Sequence, residues 1–243
     1  MAPAVAAVIL AAGASTRMAG RGSKVLLPIG GRPILDWSLG LFQSTGCVDR
    51  VLVVTAEADR EPVTALCQGY AKVSGSVLGG ATRHDSEYLG LMALAALIDK
   101  DEIDMVLVHD AARPFATAEL VERLVVATGE VGAALPVLPG PDTLVESAGS
   151  ATVEGPDLLW AAQTPQAFSA RTLLDAHRRA NQAGFRGTDT ASVLEWAGGR
   201  VVVVEGSYDN LKITSAEDLV RAEQIAARRP GDPPVLGPET FGA

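Results

Sequence analysis

The stretch Val5-Ala6-Ala7-Val8-Ile9-Leu10 is a continuous aliphatic run that gives way to Ala11-Ala12-Gly13. A short segment that is apolar at every position, rather than at alternate ones, reads as a strand buried on both faces. Comparable runs recur at 51–54, 103–108, 132–138 and 201–205, with a weaker strand at 73–78. Helical patterns separate them. One opens at Pro33 with Ile34, Trp37 and Leu41 on a shared face, and others cover 61–66, 83–98, 118–127, 170–183 and 191–196. A last helix is predicted to begin at Thr214, with Glu217 three residues on as a capping box, and to run to about Arg228. Doubly apolar strands alternating with helices predict an α/β fold, a mostly parallel sheet with helices on both faces. Ligands of such sheets bind beyond the carboxyl ends of the strands. Chemistry is therefore expected just after Leu10, Val108, Leu138 and Glu205.

Composition narrows the classes. The chain has 243 residues, 48% of them hydrophobic and 20% charged, which excludes a disordered or collagen-like protein. One large α/β domain over 1–229 is expected. Lys+Arg number 20 against 29 Asp+Glu, a net charge of −9, so a basic face for nucleic acid is not expected. No window has the length of a membrane span, and the apolar start lacks a positive leader region. Cys47 and Cys67 provide neither a disulfide framework nor metal-ligand spacing, and read as buried hydrophobes of a soluble, cytoplasmic protein. The tail 230–243, with Pro230, Pro233, Pro234 and Pro238, is expected to be disordered. The stretch 138–160 breaks the rhythm and holds short β-like pieces. It reads as a long loop or as a protruding two-stranded arm.

Five clusters carry possible chemistry. The loop 11–24 is rich in small residues whose N–H groups can cradle anions, and it adds Arg17, Arg21 and Lys24. It is not a Walker A loop, since Val25 follows Lys24, and it lacks the second glycine of a dinucleotide fingerprint. The alternative is a solvated loop. Beyond the third strand, in Val108-His109-Asp110-Ala111-Ala112-Arg113-Pro114, Asp110 can hold a divalent cation and Arg113 can clamp a phosphate, or the two can simply pair. Gly79-Gly80-Ala81-Thr82-Arg83-His84-Asp85-Ser86 permits close backbone approach, and the Ser86 hydroxyl can bond a base edge or cap a helix. Gln163-Thr164-Pro165-Gln166 and Asp209-Asn210-Leu211-Lys212 are further polar clusters. The three histidines are scattered and suggest neither a zinc site nor a Ser/His/Asp triad.

Taken together and in order, AAG-x(3)-RM-x(5)-K, GG-x(2)-R-x-DS, VHDAARP, DT, LW-x(2)-QTPQ-x-F, TD-x-AS and DN-x-K-x-T span about residues 5 to 222. This set resembles the 2-C-methyl-D-erythritol 4-phosphate cytidylyltransferase family, within a group that also holds ribitol-5-phosphate cytidylyltransferases. The resemblance implies a Rossmann-like sheet with a protruding β-arm at about 139–157 that interlocks a homodimer. It implies Mg²⁺-dependent attack of a polyol phosphate on the α-phosphorus of CTP, with pyrophosphate leaving. Arg17, Lys24 and Lys212 would be catalytic, and Ala11, Ala12, Gly13, Gly80, Ala81 and Ser86 would bind the nucleotide. Asp110, Arg113, Thr143, Thr164 and Thr188 would line the acceptor, and Asp110 and Asp209 would serve the metal.

The sequence departs from the family's pattern in three places. Ser23 and Val25 flank the lysine where Pro and Gln are common, Ala81 stands where an acidic or polar residue is usual, and 153–158 contains no arginine before the LW pair. Methylerythritol phosphate is the first acceptor reading, ribitol 5-phosphate or another polyol phosphate the second. A reading of another class is a nucleotide-binding homologue that does not catalyse.

Overall fold

The first run forms β1 (Val5–Ala11), buried at every position. Its alternate side chains separate into two cores. Val5, Ala7, Ile9 and Ala11 pack with α1 (Ile34–Ser44), α2 (Arg60–Cys67) and α4 (Ala118–Val131). Ala6, Val8 and Leu10 pack with α3 (Arg83–Ile98), α5 (Ala170–Ala183) and α6 (Thr190–Trp196) on the opposite face. This is the two-sided burial that an all-apolar strand requires. The computed structural model describes residues 2–13, 23–139 and 160–229. Most of the expected arm at 139–157 and the whole tail at 230–243 lie outside them.

Around β1 the sheet adds β4 (Arg50–Thr55), β5 (Val73–Leu78), β6 (Met105–Asp110), β7 (Ala133–Pro139), β9 (Gln166–Ser169) and β10 (Val202–Glu205). Their order is β10-β7-β9-β6-β1-β4-β5, with β8 (Trp160–Ala162) paired to β7. A small hairpin of β2 (Pro28–Ile29) and β3 (Arg32–Pro33) precedes α1. The pairs β1·β4, β1·β6, β4·β5 and β7·β10 are parallel, while β9 runs antiparallel to both β6 and β7. In register, Leu10 lies opposite both Val54 and Asp110, and Thr55 lies opposite Leu78. The loops after β1, β5 and β6 therefore leave one edge of the sheet together. α7 (Ala216–Ala227) closes over that side, placing Ala222, Ile225 and Ala226 against Ile29, Ile34, Trp37 and Phe115.

Several boundaries differ from the sequence reading for physical reasons. The third run starts two residues later, at Met105, and extends through His109 and Asp110. Ile103 is buried with α3 rather than paired in the sheet. Gly132, expected in a strand, is the left-handed C-cap of a longer α4, with φ 98°. The capping box of the last helix is Ser215 with Asp218, one residue beyond the expected pair. Strand β9 has no counterpart in the sequence reading. Among the described residues no helix is long and apolar enough to cross a membrane, and Cys47 and Cys67 are both free.

Candidate active site

The three aligned strand ends frame a cleft of about 220 Å³. Ala12 and Gly13 enter from β1, Gly80, Ala81 and Thr82 from β5, and Asp110 and Ala112 from β6. Lys24, in a 3-10 turn, and Lys212 and Thr214, ahead of α7, complete the wall. The loop after β5 fits only because it begins with glycines. A Cβ on Gly79 would lie 2.4 Å from Ala12 Cβ and 2.7 Å from Ser86 Oγ. Thr82 then caps α3 in a reciprocal box with Asp85. Ser86 Oγ accepts from the Gly80 N–H at 3.1 Å and donates to Thr82 O at 2.9 Å. Its hydrogen is thus committed, and one lone pair is left to accept from a ligand.

Charge concentrates at the end of β6. Asp110 Oδ1 accepts from Arg83 Nε at 2.9 Å, and Oδ2 accepts from Lys212 Nζ at 2.7 Å. Burial alone would raise the Asp110 pKa, but the two cations outweigh it and hold the carboxyl well below its ordinary range. Asp110 is therefore a fixed anion.

Behind Asp110 lies a neutral relay. The Asp110 N–H donates to Thr164 Oγ1 at 3.0 Å, and that oxygen is 3.3 Å from His109 Nδ1. His109 Nε2 is 3.1 Å from Arg113 O. A carbonyl can only accept, so Nε2 carries the proton and Nδ1 takes the Thr164 hydroxyl hydrogen. Burial, helped by the Arg113 charge, pushes His109 down to about 4, so the ring is neutral near pH 7.

Not every expected residue faces the cleft. Ala12, Gly13, Lys24, Gly80, Ala81, Ser86, Asp110 and Lys212 line it, Ala11 is buried at the strand end beside it, and Thr164 supports Asp110 from behind. Arg113 is turned to the backbone, donating to Asn210 O at 2.7 Å and Ala162 O at 3.2 Å. Asp209 pairs with Arg228 at 3.4 Å and is not part of the lining. Thr188 is exposed, one residue ahead of the Asp189 cap of α6. Arg17 and Thr143 lie outside the described residues. Three lining residues with polar side chains, Thr82, Arg83 and Thr214, were given no role by the sequence reading. Arg83 carried a signal: a cation in the first turn of a helix opposes the helix dipole and needs anionic partners.

Among the described residues no three His, Cys, Asp or Glu side chains cluster as a cation site. Asp110 is the acidic side chain of the described lining, and cations hold both its oxygens. That donor set builds no all-protein cage. It fits a hard cation carried largely by phosphate oxygens and waters, with one carboxylate facing it.

A cleft beyond parallel strand ends, walled by glycine-rich backbone and by Lys24, Arg83 and Lys212, suits the phosphates of a nucleotide, and the family model that matches the chain makes it a nucleotidyltransferase. A family model described as IspD: 2-C-methyl-D-erythritol 4-phosphate cytidylyltransferase matches residues 5–228, and the chain belongs to that family. The 2-C-methyl-D-erythritol 4-phosphate cytidylyltransferase of Syntrophotalea carbinolica is 43% identical over 93% of this chain and 97% of its own. A solved structure of that enzyme from Thermus thermophilus is 35% identical, with a TM-score of 0.70 over 90% of this chain and 98% of its own. The 4-diphosphocytidyl-2C-methyl-D-erythritol synthase from Anaerococcus prevotii superposes with a TM-score of 0.78 at 27% identity, covering 94% of this chain and 97% of its own.

Proposed function

We propose that the chain transfers the cytidylyl group of CTP to 2-C-methyl-D-erythritol 4-phosphate in isoprenoid biosynthesis. An oxygen of the acceptor phosphate attacks the α-phosphorus of CTP, the bond to the β-phosphate oxygen breaks, and a CDP-alcohol and pyrophosphate form. The observation that carries this reading is the Asp110 carboxylate clasped by Lys212 and Arg83, in one cleft with Lys24 and the glycine loop of β5.

Phosphoryl-type transfer needs positioning and charge neutralisation rather than a covalent nucleophile. Lys24, with Arg17, stabilises the charge that builds on the α-phosphate. Backbone at Ala12, Gly80 and Ala81 and the remaining Ser86 lone pair read the cytosine edge. Lys212 takes the acceptor phosphate, Asp110 orients the Lys212 ammonium, and Thr164 supports Asp110 from behind. Arg113 braces the backbone at Ala162 and Asn210 around the acceptor side. Mg²⁺, when bound, neutralises triphosphate charge, with Asp110 as its protein carboxylate. Asp209 has no part in this reading, because it does not line the cleft.

The same proposal includes one nucleotidyltransferase domain over 1–229, a homodimer joined through 139–157, and a cytoplasmic site of action. Two-fold dimers are the commonest oligomers, and the free thiols suit a reducing compartment. The test is pyrophosphate release from CTP with Mg²⁺, offering methylerythritol phosphate and ribitol 5-phosphate in turn. Release with the first acceptor is expected. Release with ribitol 5-phosphate alone reassigns the acceptor, and CTP binding without release from either leaves a nucleotide-binding protein.

A further inference from the structure

Glu87 stands one helical turn past Arg83 on α3 and is 1% exposed. Its Oε2 accepts from Arg83 Nη1 and from Thr190 Oγ1, each at 2.9 Å, and its Oε1 lies 2.8 Å from His177 Nε2. His177 is fully buried, with its ring stacked on His84 at a centroid distance of 5.1 Å. One carboxylate thus joins α3, α5 and α6. A structural tie between helices does not need a charge, because apolar side chains of similar volume commonly serve as well as a buried ion pair. The charge matters to Arg83.

The guanidinium of Arg83 is held on two sides. Nη1 rests on Glu87, Nε rests on Asp110 Oδ1, and Nη2 has no hydrogen-bond partner among the described residues although Arg83 lines the cleft. A guanidinium is planar and rigid, so two fixed donors fix the direction of the third. Removing Glu87 leaves the fork free to rotate about its bond to Asp110, or to turn both edges onto that carboxylate.

We propose that Glu87 is a positioning residue for cytidylyl transfer: through Arg83 it steadies Asp110 and presents Nη2 to an anionic oxygen of the acceptor phosphate. The proposal rests on the cytidylyltransferase reading. It separates Glu87 from its neighbour Ser86, which serves the CTP side from the same helix turn. A merely structural Glu87 would, when lost, loosen both sides together.

The test compares Glu87→Gln, Arg83→Lys and the double variant by pyrophosphate release, by CTP calorimetry, and by the exchange of the Arg83 Nε–H with water in ¹⁵N NMR. The expected result for Glu87→Gln is a loss of about ten- to a hundredfold in kcat/KM for the acceptor, with CTP affinity within about twofold of the parent. In the Arg83→Lys background the same change should add little, because the two residues act as one unit. Equal losses in CTP affinity and acceptor use, or additive losses in the double variant, would overturn the proposal. If the parent uses neither polyol phosphate, the reaction reading fails, and the NMR arm still decides Glu87. Protection of the Arg83 Nε–H that Glu87→Gln abolishes supports positioning, and unchanged protection refutes it. Should Glu87→Gln not fold, Thr190→Val removes the hydroxyl on the same Oε2. It should cost about threefold in acceptor kcat/KM, and no change there would equally refute the role.

Discussion

Lys212 Nζ sits 2.7 Å from Asp110 Oδ2, although the two residues are 102 positions apart in the chain. The ammonium is 41% exposed at its side chain, whereas Asp110 is 10% exposed, so the cation faces solvent while its counter-ion stays buried. In the proposed reaction an incoming phosphate would compete with Asp110 for that ammonium, and the buried carboxylate sets where the ammonium waits.

Lys212→Ala is therefore expected to damage acceptor use more than CTP binding. A loss of about 10²- to 10³-fold in kcat/KM for the acceptor is the scale for one group removed from a preorganised charged site. CTP affinity measured by calorimetry should change much less. Equal losses in both would place Lys212 at the nucleotide.

Lys24→Ala should act mainly on turnover, because a contact to the α-phosphate strengthens as charge develops there. Steady-state kinetics should give a kcat lower by about 10²-fold or more, with a modest change in KM for CTP. Unchanged kcat with a raised KM would remove Lys24 from the chemical step.

Gly79→Ala tests the nucleotide side by sterics alone. The new methyl group would meet Ala12 Cβ at 2.4 Å and Ser86 Oγ at 2.7 Å, so two cleft walls must move apart. Displacing positioning groups on this scale should raise the CTP dissociation constant about tenfold or more, with global stability reduced by about 1–3 kcal/mol. A variant that binds CTP like the parent would show that the wall contributes nothing to nucleotide recognition.

His109 sets a pH dependence of stability with a definite sign. The folded protein keeps the ring neutral down to about 4, whereas the unfolded chain protonates it near 6.5. Between those values the unfolded state binds the extra proton, so stability falls as pH drops through that window, by on the order of 3 kcal/mol. Urea midpoints of the parent and of His109→Gln, compared at about pH 7 and pH 4.5, should converge toward the acid side. Parallel slopes would mean that His109 is not buried as a neutral ring.

Much of the sheet was legible because its central strands, β1, β4 and β6, are mostly aliphatic and buried. The run at β1 and the amphipathic helix α5 each carry their own signal, and α5 spans the expected 170–183. Strand β9 carried none. It is four residues long, follows the polar Gln163-Thr164-Pro165 segment, and exists because β6 and β7 leave a slot between them. Gly132 was misplaced because a glycine beside aliphatic residues reads equally as a strand end or a helix cap. In the cleft, position beyond a strand end pointed to the loops after Leu10 and Val108, while the roles of Gly80, Ala81, Ser86 and Lys212 came from the resemblance to the family. Arg113 and Asp209 were less readable, since their partners, the Asn210 and Ala162 carbonyls and Arg228, are chosen by tertiary packing. Glu87 had no sequence signal at all, because nothing local marks an acid as buried.

The groups gathered at Asp110 come from chain positions 83, 164 and 212. During synthesis, the first strands can pair long before the last of those positions exists. A growing chain released short of Lys212 would have a framework with one clasp open, its acid held by a single guanidinium and its ammonium missing. Premature fragments of this polypeptide, however well their early half collapses, would lack the ammonium that the proposed reaction sets against its acceptor.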